Sequence, residues 1–196
     1  MEAAEETEPP RQVHRSWRKP SFRGGGKQGK AFGNATHTVM QYLDFGFCAD
    51  EQSIRSQVEQ MISRHQLPED QAKLVDCRLI ANFFETELGN KLRSGIPCIR
   101  EFKFSILDDG NNYGEGLEGE HVLLQGVVDC ALLEEDGITV IDFKTDAATE
   151  QNLSQLTALY GQQLKTYVRA LERIYRKKVK AAYLYFFRLN RFEEIV

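Results

Sequence analysis

Residues 122–146 read VLLQGVVDCALLEEDGITVIDFKTD, two β-rich runs meeting at Asp136-Gly137. An Asp-Gly pair between hydrophobic runs signals a two-residue hairpin of the type I′ kind, whose central residues both need positive φ. With those two residues as the loop, Glu135 faces Ile138, Ala131 lies across from Asp142, and Asp129 lies across from Lys144. All four of these inner positions then share one face. Along the second strand Ile138, Val140, Asp142 and Lys144 lie on that face and Ile141 and Phe143 on the other, with Asp142 and Lys144 about 6.6 Å apart. Asp129 becomes a diagonal neighbour of Asp142, about 7–8 Å away.

Two carboxylates converging at the end of a buried hairpin require a compensating charge. At a separation of about 6 Å they repel by about 3 kcal/mol at an effective dielectric of about 20. Lys144 supplies one positive charge. Hard oxygen ligands facing a cavity also suit Mg²⁺ or Mn²⁺, which are commonly held by one or two carboxylates plus water and substrate phosphate. D-x-K alone is a weak motif that occurs by chance in many proteins, and a surface ion pair on a solvent face is the alternative reading.

Outward from the hairpin, IREFKFSIL at residues 99–107 alternates as a strand, a helix is expected from about Asn152 to Lys177, and VKAAYLYFFRL at residues 179–189 reads as a last strand. On the long helix Leu156, Tyr160, Leu164, Tyr167, Leu171 and Ile174 form one apolar stripe with Gln163 inside it. A buried unpaired amide costs about 1–3 kcal/mol, so Gln163 needs a partner, and Tyr167 one turn on can reach the same place. The front half reads as helical: from Gly33 with Ala35, Val39, Tyr42, Leu43 and Phe47 on a stripe, from about Asp50 to Arg64, and from Pro68 to about Arg93 with Leu74, Ala81, Phe84 and Leu88 aligned. The element order is α, β, β, β, α, β.

The first 30 residues differ in kind. Residues 1–10 carry four glutamates and no base, whereas residues 11–30 carry seven Lys or Arg and no acid, with glycines at 24–26 and prolines at 9, 10 and 20. This stretch is expected to be a flexible leader whose basic half could touch phosphate or simply be a solvated tether, with the folded domain spanning 31–196 and a helical lead-in over about 33–93. Gly24 to Lys30 matches the first seven positions of a phosphate-binding loop, but Ala31 stands where Ser or Thr must ligate Mg²⁺ and no buried strand leads in. No bound nucleotide is expected.

Overall balance excludes several classes. A net charge of -4 and 41% hydrophobic residues describe an ordinary globular chain, with a core burying roughly 70% of the unfolded surface. No apolar run approaches the ~20 residues of a membrane span, and the acidic start is unlike a signal peptide. Cys48, Cys77, Cys98 and Cys130 are scattered without C-x-x-C spacing, which argues against structural zinc or an iron–sulfur cluster. A soluble cytoplasmic protein without membrane attachment is expected.

Five linked motifs on four stretches, taken in order and at these separations, carry a resemblance: GNATHTVMQYLDF from Gly33, REFKFSI from Arg100, the hairpin with G-x-x-D and D-x-K, and YGQQLKTYVRALE from Tyr160. Together, over about Phe32 to Arg188, they resemble the C-terminal nuclease domain of bacterial helicase–nucleases, the RecB-like branch of the PD-(D/E)XK superfamily, and most closely its AddA type. The resemblance implies an α/β restriction-endonuclease-like core, a mixed sheet flanked by helices. It implies that His37, Asp129 and Asp142, with the backbone carbonyl of Phe143, hold a catalytic Mg²⁺, Mn²⁺ being tolerated, and that Glu101 holds a water or a second ion beside the site. A lone histidine on an amphipathic helix is more often packed or exposed than a ligand. An exposed strand-edge charge is the other reading of Glu101.

The implied catalytic set is Asp129, Asp142, Lys144 and Glu101, with Gln163, Tyr167 and Tyr160 supporting the site or contacting the scissile strand. The implied activity is metal-dependent hydrolysis of DNA phosphodiesters. It is expected as single-strand exonuclease action within a bacterial ATP-dependent helicase–nuclease that processes double-strand breaks for recombinational repair. The implied partners are DNA, the rest of the helicase polypeptide and an AddB-like subunit. The chain departs from the pattern in its Gly/Lys-rich GGGKQGK lead-in and carries no helicase motifs, so unwinding would belong to a longer polypeptide. A catalytically silent DNA-binding or scaffold module of the same fold is the alternative, although such relics typically lose the carboxylates or the lysine that stand here.

Overall fold

The computed structural model describes residues 27–112, 114, 116 and 118–196. Its centre is a five-stranded mixed sheet in the order β1 (Cys98–Asp109), β2 (His121–Glu134), β3 (Gly137–Lys144), β4 (Val179–Phe186) and β5 (Arg191–Glu194). In this sheet only β3 and β4 pair in parallel, and the crossover between them is the helix α6 (Leu153–Tyr175), as a parallel connection requires. All eight residues of β3 are buried, which fits a central strand covered on both faces.

The two faces have separate cores. Over one lie α1 (Lys27–Tyr42), α2 (Glu51–Ser63), α3 (Glu69–Ala72), α4 (Cys77–Phe84) and α5 (Glu87–Arg93), packed on Ile141, Phe143, Tyr185 and Phe187. Over the other lies α6, whose Leu156, Tyr160, Leu164 and Leu171 pack on Ile138, Val140, Ala131 and Leu184. The expected alternation of β3 is thus observed residue by residue.

The register differs from expectation by two residues. Glu134 pairs with Gly137 and Cys130 with Ile141, so the loop is Glu135-Asp136, the ladder ends at Cys130, and Asp129 meets β3 through its side chain at the Phe143 amide instead of lying across from Lys144. The physical reason lies at Gly137. A Cβ there would sit 3.1 Å from the Lys178 carbonyl and 3.2 Å from Lys180 Cβ, so this glycine serves the close approach of the residues leading into β4 and not the turn. Because the slip is even, Asp142 and Lys144 keep their face.

A second irregularity sits beside it. The β1–β2 ladder holds one register from Cys98↔Leu132 to Asp109↔His121, but no pair joins Glu101 to Asp129, and Glu101 has φ +47°. Both strands exchange faces there: Ile99 and Ala131 on one side of the break, and Phe102, Phe104, Val128 and Leu124 on the other, all face α6.

Several helical expectations are corrected. α1 begins at Lys27, inside the leader expected to reach residue 30, so Lys30 is helical; residues 1–26 of that leader lie outside the described residues. The third helical region is three short helices, started by N-caps at Asp76, whose carboxylate accepts from Arg78 and Leu79 amides, and at Thr86, whose hydroxyl accepts from Gly89 N. Tyr42, Phe47, Leu74 and Ile174, placed on apolar stripes, are exposed, and β5 was not expected at all. Cys98 and Cys130, distant in sequence, meet across β1–β2, where a hydrogen bond from Cys130 holds the Cys98 thiol below its ordinary value. Among the described residues no helix is long and apolar enough to cross a membrane.

Candidate active site and metal centre

Three elements deliver the site to the C-terminal end of β3. α1 presents His37, the β1 break presents Glu101 and β2 presents Asp129. His37 Nδ1 lies 3.4 Å from Asp129 Oδ2 and 3.9 Å from Glu101 Oε1. One ligand atom from each of these three side chains lies within 4.8 Å of the others. The shared face exchange explains the convergence: at the break Asp129 and Glu101 sit between the two faces of the sheet, where a histidine from the opposite layer to α6 can meet them.

Asp129 is nearly inaccessible at 4% exposure, and its Oδ2 also accepts the Phe143 amide at 2.9 Å. The aspartate therefore anchors the main chain of β3 between Asp142 and Lys144. Asp142, 1% exposed, stands outside the three-residue cluster, and its Oδ2 is 2.5 Å from Lys144 Nζ. The Lys144 ammonium in turn sits 3.9 Å from the centroid of the Tyr160 ring, whose hydroxyl donates to Asp146 Oδ1 at 3.0 Å. Burial, the Asp146 carboxylate beside it and the Asp146 hydrogen bond hold the Tyr160 hydroxyl protonated far above its ordinary value.

From the next turns of α6, Gln163 Nε2 donates to the Tyr167 hydroxyl at 2.6 Å. Gln163 Oε1 is buried and has no hydrogen-bond partner among the described residues. Tyr167 is likewise pushed up, first by burial and then by the Asp142 and Asp129 carboxylates, against hydrogen bonds from Gln163 and the Val127 amide. Its phenol therefore lies within the field of both aspartates. Gly126 makes room for it, since a Cβ there would come within 2.7 Å of the Tyr167 ring and 2.8 Å of the Phe104 ring.

The structure thus gathers His37, Glu101 and Asp129 into one cluster, sets Asp142 and Lys144 beside it as an ion pair, and puts Tyr160, Gln163 and Tyr167 behind. Asp146 was missed by sequence reasoning, although it extends the D-x-K alternation by one step. The donor set suits a hard divalent ion: carboxylate oxygens plus one imidazole nitrogen. Among the described residues Glu101, Asp129 and Asp142 stand around the Lys144 ammonium, and a cation bound between the carboxylates would be attracted by all three. His14 lies outside the described residues, and His65 and His121 are exposed as expected.

A mixed sheet crossed by α6 carries D-x-K at the end of its central strand and G-x-x-D on the neighbouring strand. The model of the PD-(D/E)XK nuclease superfamily matches residues 13–195, and the chain belongs to that superfamily. It is similar to the ATP-dependent helicase/nuclease A-subunit of Geobacillus thermodenitrificans, at 41% identity over 165 residues covering 79% of this chain and 13% of that one. The protein of the same name from Alkaliphilus oremlandii is 36% identical over 158 residues, again 79% and 13%. That of Syntrophomonas wolfei is 36% identical over 181 residues, 89% of this chain and 15% of that one. The chain spans about one seventh of the length of these relatives.

Proposed function

We propose that the chain is the nuclease portion of an ATP-dependent helicase–nuclease and hydrolyses DNA phosphodiesters with Mg²⁺, Mn²⁺ substituting. The observation that carries this reading is the meeting of His37, Glu101 and Asp129 from three separate elements beside the Asp142–Lys144 pair. His37, Asp129, Asp142 and the Phe143 carbonyl would hold the ion, with Glu101 joining them. Such an ion supplies Lewis-acid polarisation of the phosphate and an oxygen nucleophile near neutral pH.

The chain's own residues do the rest. Lys144 is held by Asp142 and the Tyr160 ring at the mouth of the site, where its ammonium orients the attacking oxygen and offsets charge developing on the phosphate. Asp129 fixes the main chain between the two D-x-K side chains, so their separation is set before substrate arrives. Gln163 and Tyr167 bond to each other within the field of Asp142 and Asp129, and the open Gln163 Oε1 offers a buried acceptor toward a water or the scissile strand.

The working context is supported by the relatives, which are helicase/nuclease subunits. The substrate is single-stranded DNA delivered by the rest of the polypeptide, degraded from an end during processing of double-strand breaks for recombination, in the bacterial cytoplasm and with an AddB-like partner. The test is cleavage of linear and circular single-stranded DNA in Mg²⁺, Mn²⁺ and EDTA, beside Asp142→Ala and Lys144→Ala. Metal-dependent loss of the linear substrate alone, abolished by either substitution, is the expected outcome. Cutting that persists in EDTA or in Asp142→Ala would overturn it.

A further inference from the structure

α1 carries His37 but has no basic residue in its own last turn to meet its terminal carbonyls. That cation comes from a residue remote in sequence. Arg100 Nη1 donates to the Leu43 carbonyl at 2.5 Å and lies 3.3 Å from the Met40 carbonyl, while its guanidinium sits 4.5 Å from the centroid of the Phe45 ring. A guanidinium on the last carbonyls of a helix satisfies orphan acceptors and complements the negative end of the helix dipole. Its planar fork can stack and donate at once, which an ammonium does less well.

The position of Arg100 gives this contact a consequence beyond helix stability. The next residue is Glu101, with its left-handed backbone and its carboxylate in the cluster with His37. Arg100 pairs in register with Cys130, the residue after Asp129. One dipeptide therefore grips the helix that delivers the histidine and presents the carboxylate that meets it, while its partner strand presents the aspartate. His37 is six residues before Leu43, about 9 Å along the helix axis, so a rotation of α1 about its C-terminal end moves the imidazole directly.

We propose that Arg100 is a positioning residue for the metal centre, fixing the end of α1 to β1 so that His37 stands at ligand distance from Glu101 and Asp129. This rests on the metal-site reading above. Ligand sets tolerate only small displacements, and loss of a supporting contact around a metal typically weakens affinity by roughly 10–100-fold.

The experiment is Mn²⁺ titration by calorimetry of the full 196-residue chain as wild type, Arg100→Met and Arg100→Lys, at a temperature where each is folded by circular dichroism, with melts recorded in EDTA. The expected result is an Mn²⁺ affinity weakened roughly 10–100-fold in Arg100→Met and by less in Arg100→Lys, with DNA cleavage recovering in both at high Mn²⁺. Lower melting temperatures with unchanged Mn²⁺ affinity in both variants would make Arg100 a structural cap alone and overturn the proposal. If Arg100→Met does not fold, the Arg100→Lys affinity decides. Absence of Mn²⁺ binding in the wild type would instead sink the metal-site reading, and this inference with it.

Discussion

Asp129 makes two demands on one carboxylate: a charge beside His37 and Glu101, and an acceptor for the Phe143 amide. Substitutions separate them. Asp129→Asn retains an acceptor of the same shape and is expected to keep the fold while losing cleavage. Asp129→Ala also strands a buried amide and is expected to lose a further 1–3 kcal/mol, about the cost of an unsatisfied buried donor, in melts recorded in EDTA. Equal stability of the two variants would show that the Phe143 bond contributes nothing. Gln163→Leu fits the same apolar stripe and is expected to slow cleavage roughly tenfold or more, about 1.4 kcal/mol or more in the barrier, with a melting temperature close to wild type. A normal turnover rate in the folded variant would remove Gln163 from the site. Among single residues the sequence was informative where chemistry and alternation agreed: Asp142, Lys144 and Gln163 could each be placed by periodicity. Arg100 could not, because its partners lie 57 and 60 residues away and no local pattern announces them, and Asp146, although it continues the alternation of Asp142 and Lys144, is tied to the site only through Tyr160 on another element.

Elements were legible in proportion to their length and regularity. β2, β3 and α6 are long and strongly patterned, and their ends fall within a few residues of the periodic runs. β5 has four residues and a single apolar side chain, too little for alternation to register. The continuous helix expected over residues 68–93 ignored Asp76 and Thr86, whose capping side chains were visible in the sequence and restart the backbone there. The hairpin register went astray because a glycine required by close approach of the β4 lead-in looked like a glycine required by a turn. The face exchange at Glu101 and Asp129 breaks strict alternation in both strands at once, whereas residues 99–107 read alone as a continuous alternating strand. Gly126 tests the packing that surrounds this exchange. Gly126→Ala must displace the Tyr167 or Phe104 ring and is expected to destabilise the domain by about 1–3 kcal/mol in denaturant unfolding, with a loss of cleavage through Tyr167. A neutral substitution would mean that the rings have room the structure does not show.

Across the whole molecule, two helical layers close over one sheet and leave the carboxylate cluster at the C-terminal end of the central strand, the usual place for ligands in α/β sheets. Fold class could be read from the order of elements, whereas the assembly of the site from α1, β1 and β2 depends on tertiary contacts across 60 and more residues. The seven Lys and Arg of residues 11–30, five of them before Lys27, enter at this scale as a charge distribution and not as a set of individual contacts. Deleting residues 1–26 is expected to weaken single-stranded DNA binding and to flatten the plot of log affinity against log salt by about 0.7 for each phosphate no longer neutralised, measured by fluorescence anisotropy. An unchanged slope would leave the stretch as a tether.

The metal centre is tested most directly by calorimetric titration of Mn²⁺ into the wild-type chain and into Asp129→Asn, both shown folded by circular dichroism. Saturable binding in the wild type that raises its melting temperature, and that Asp129→Asn loses, is the expected result. Identical Mn²⁺ binding by both proteins would contradict it, because the ion would then be held somewhere other than between His37, Glu101 and Asp129.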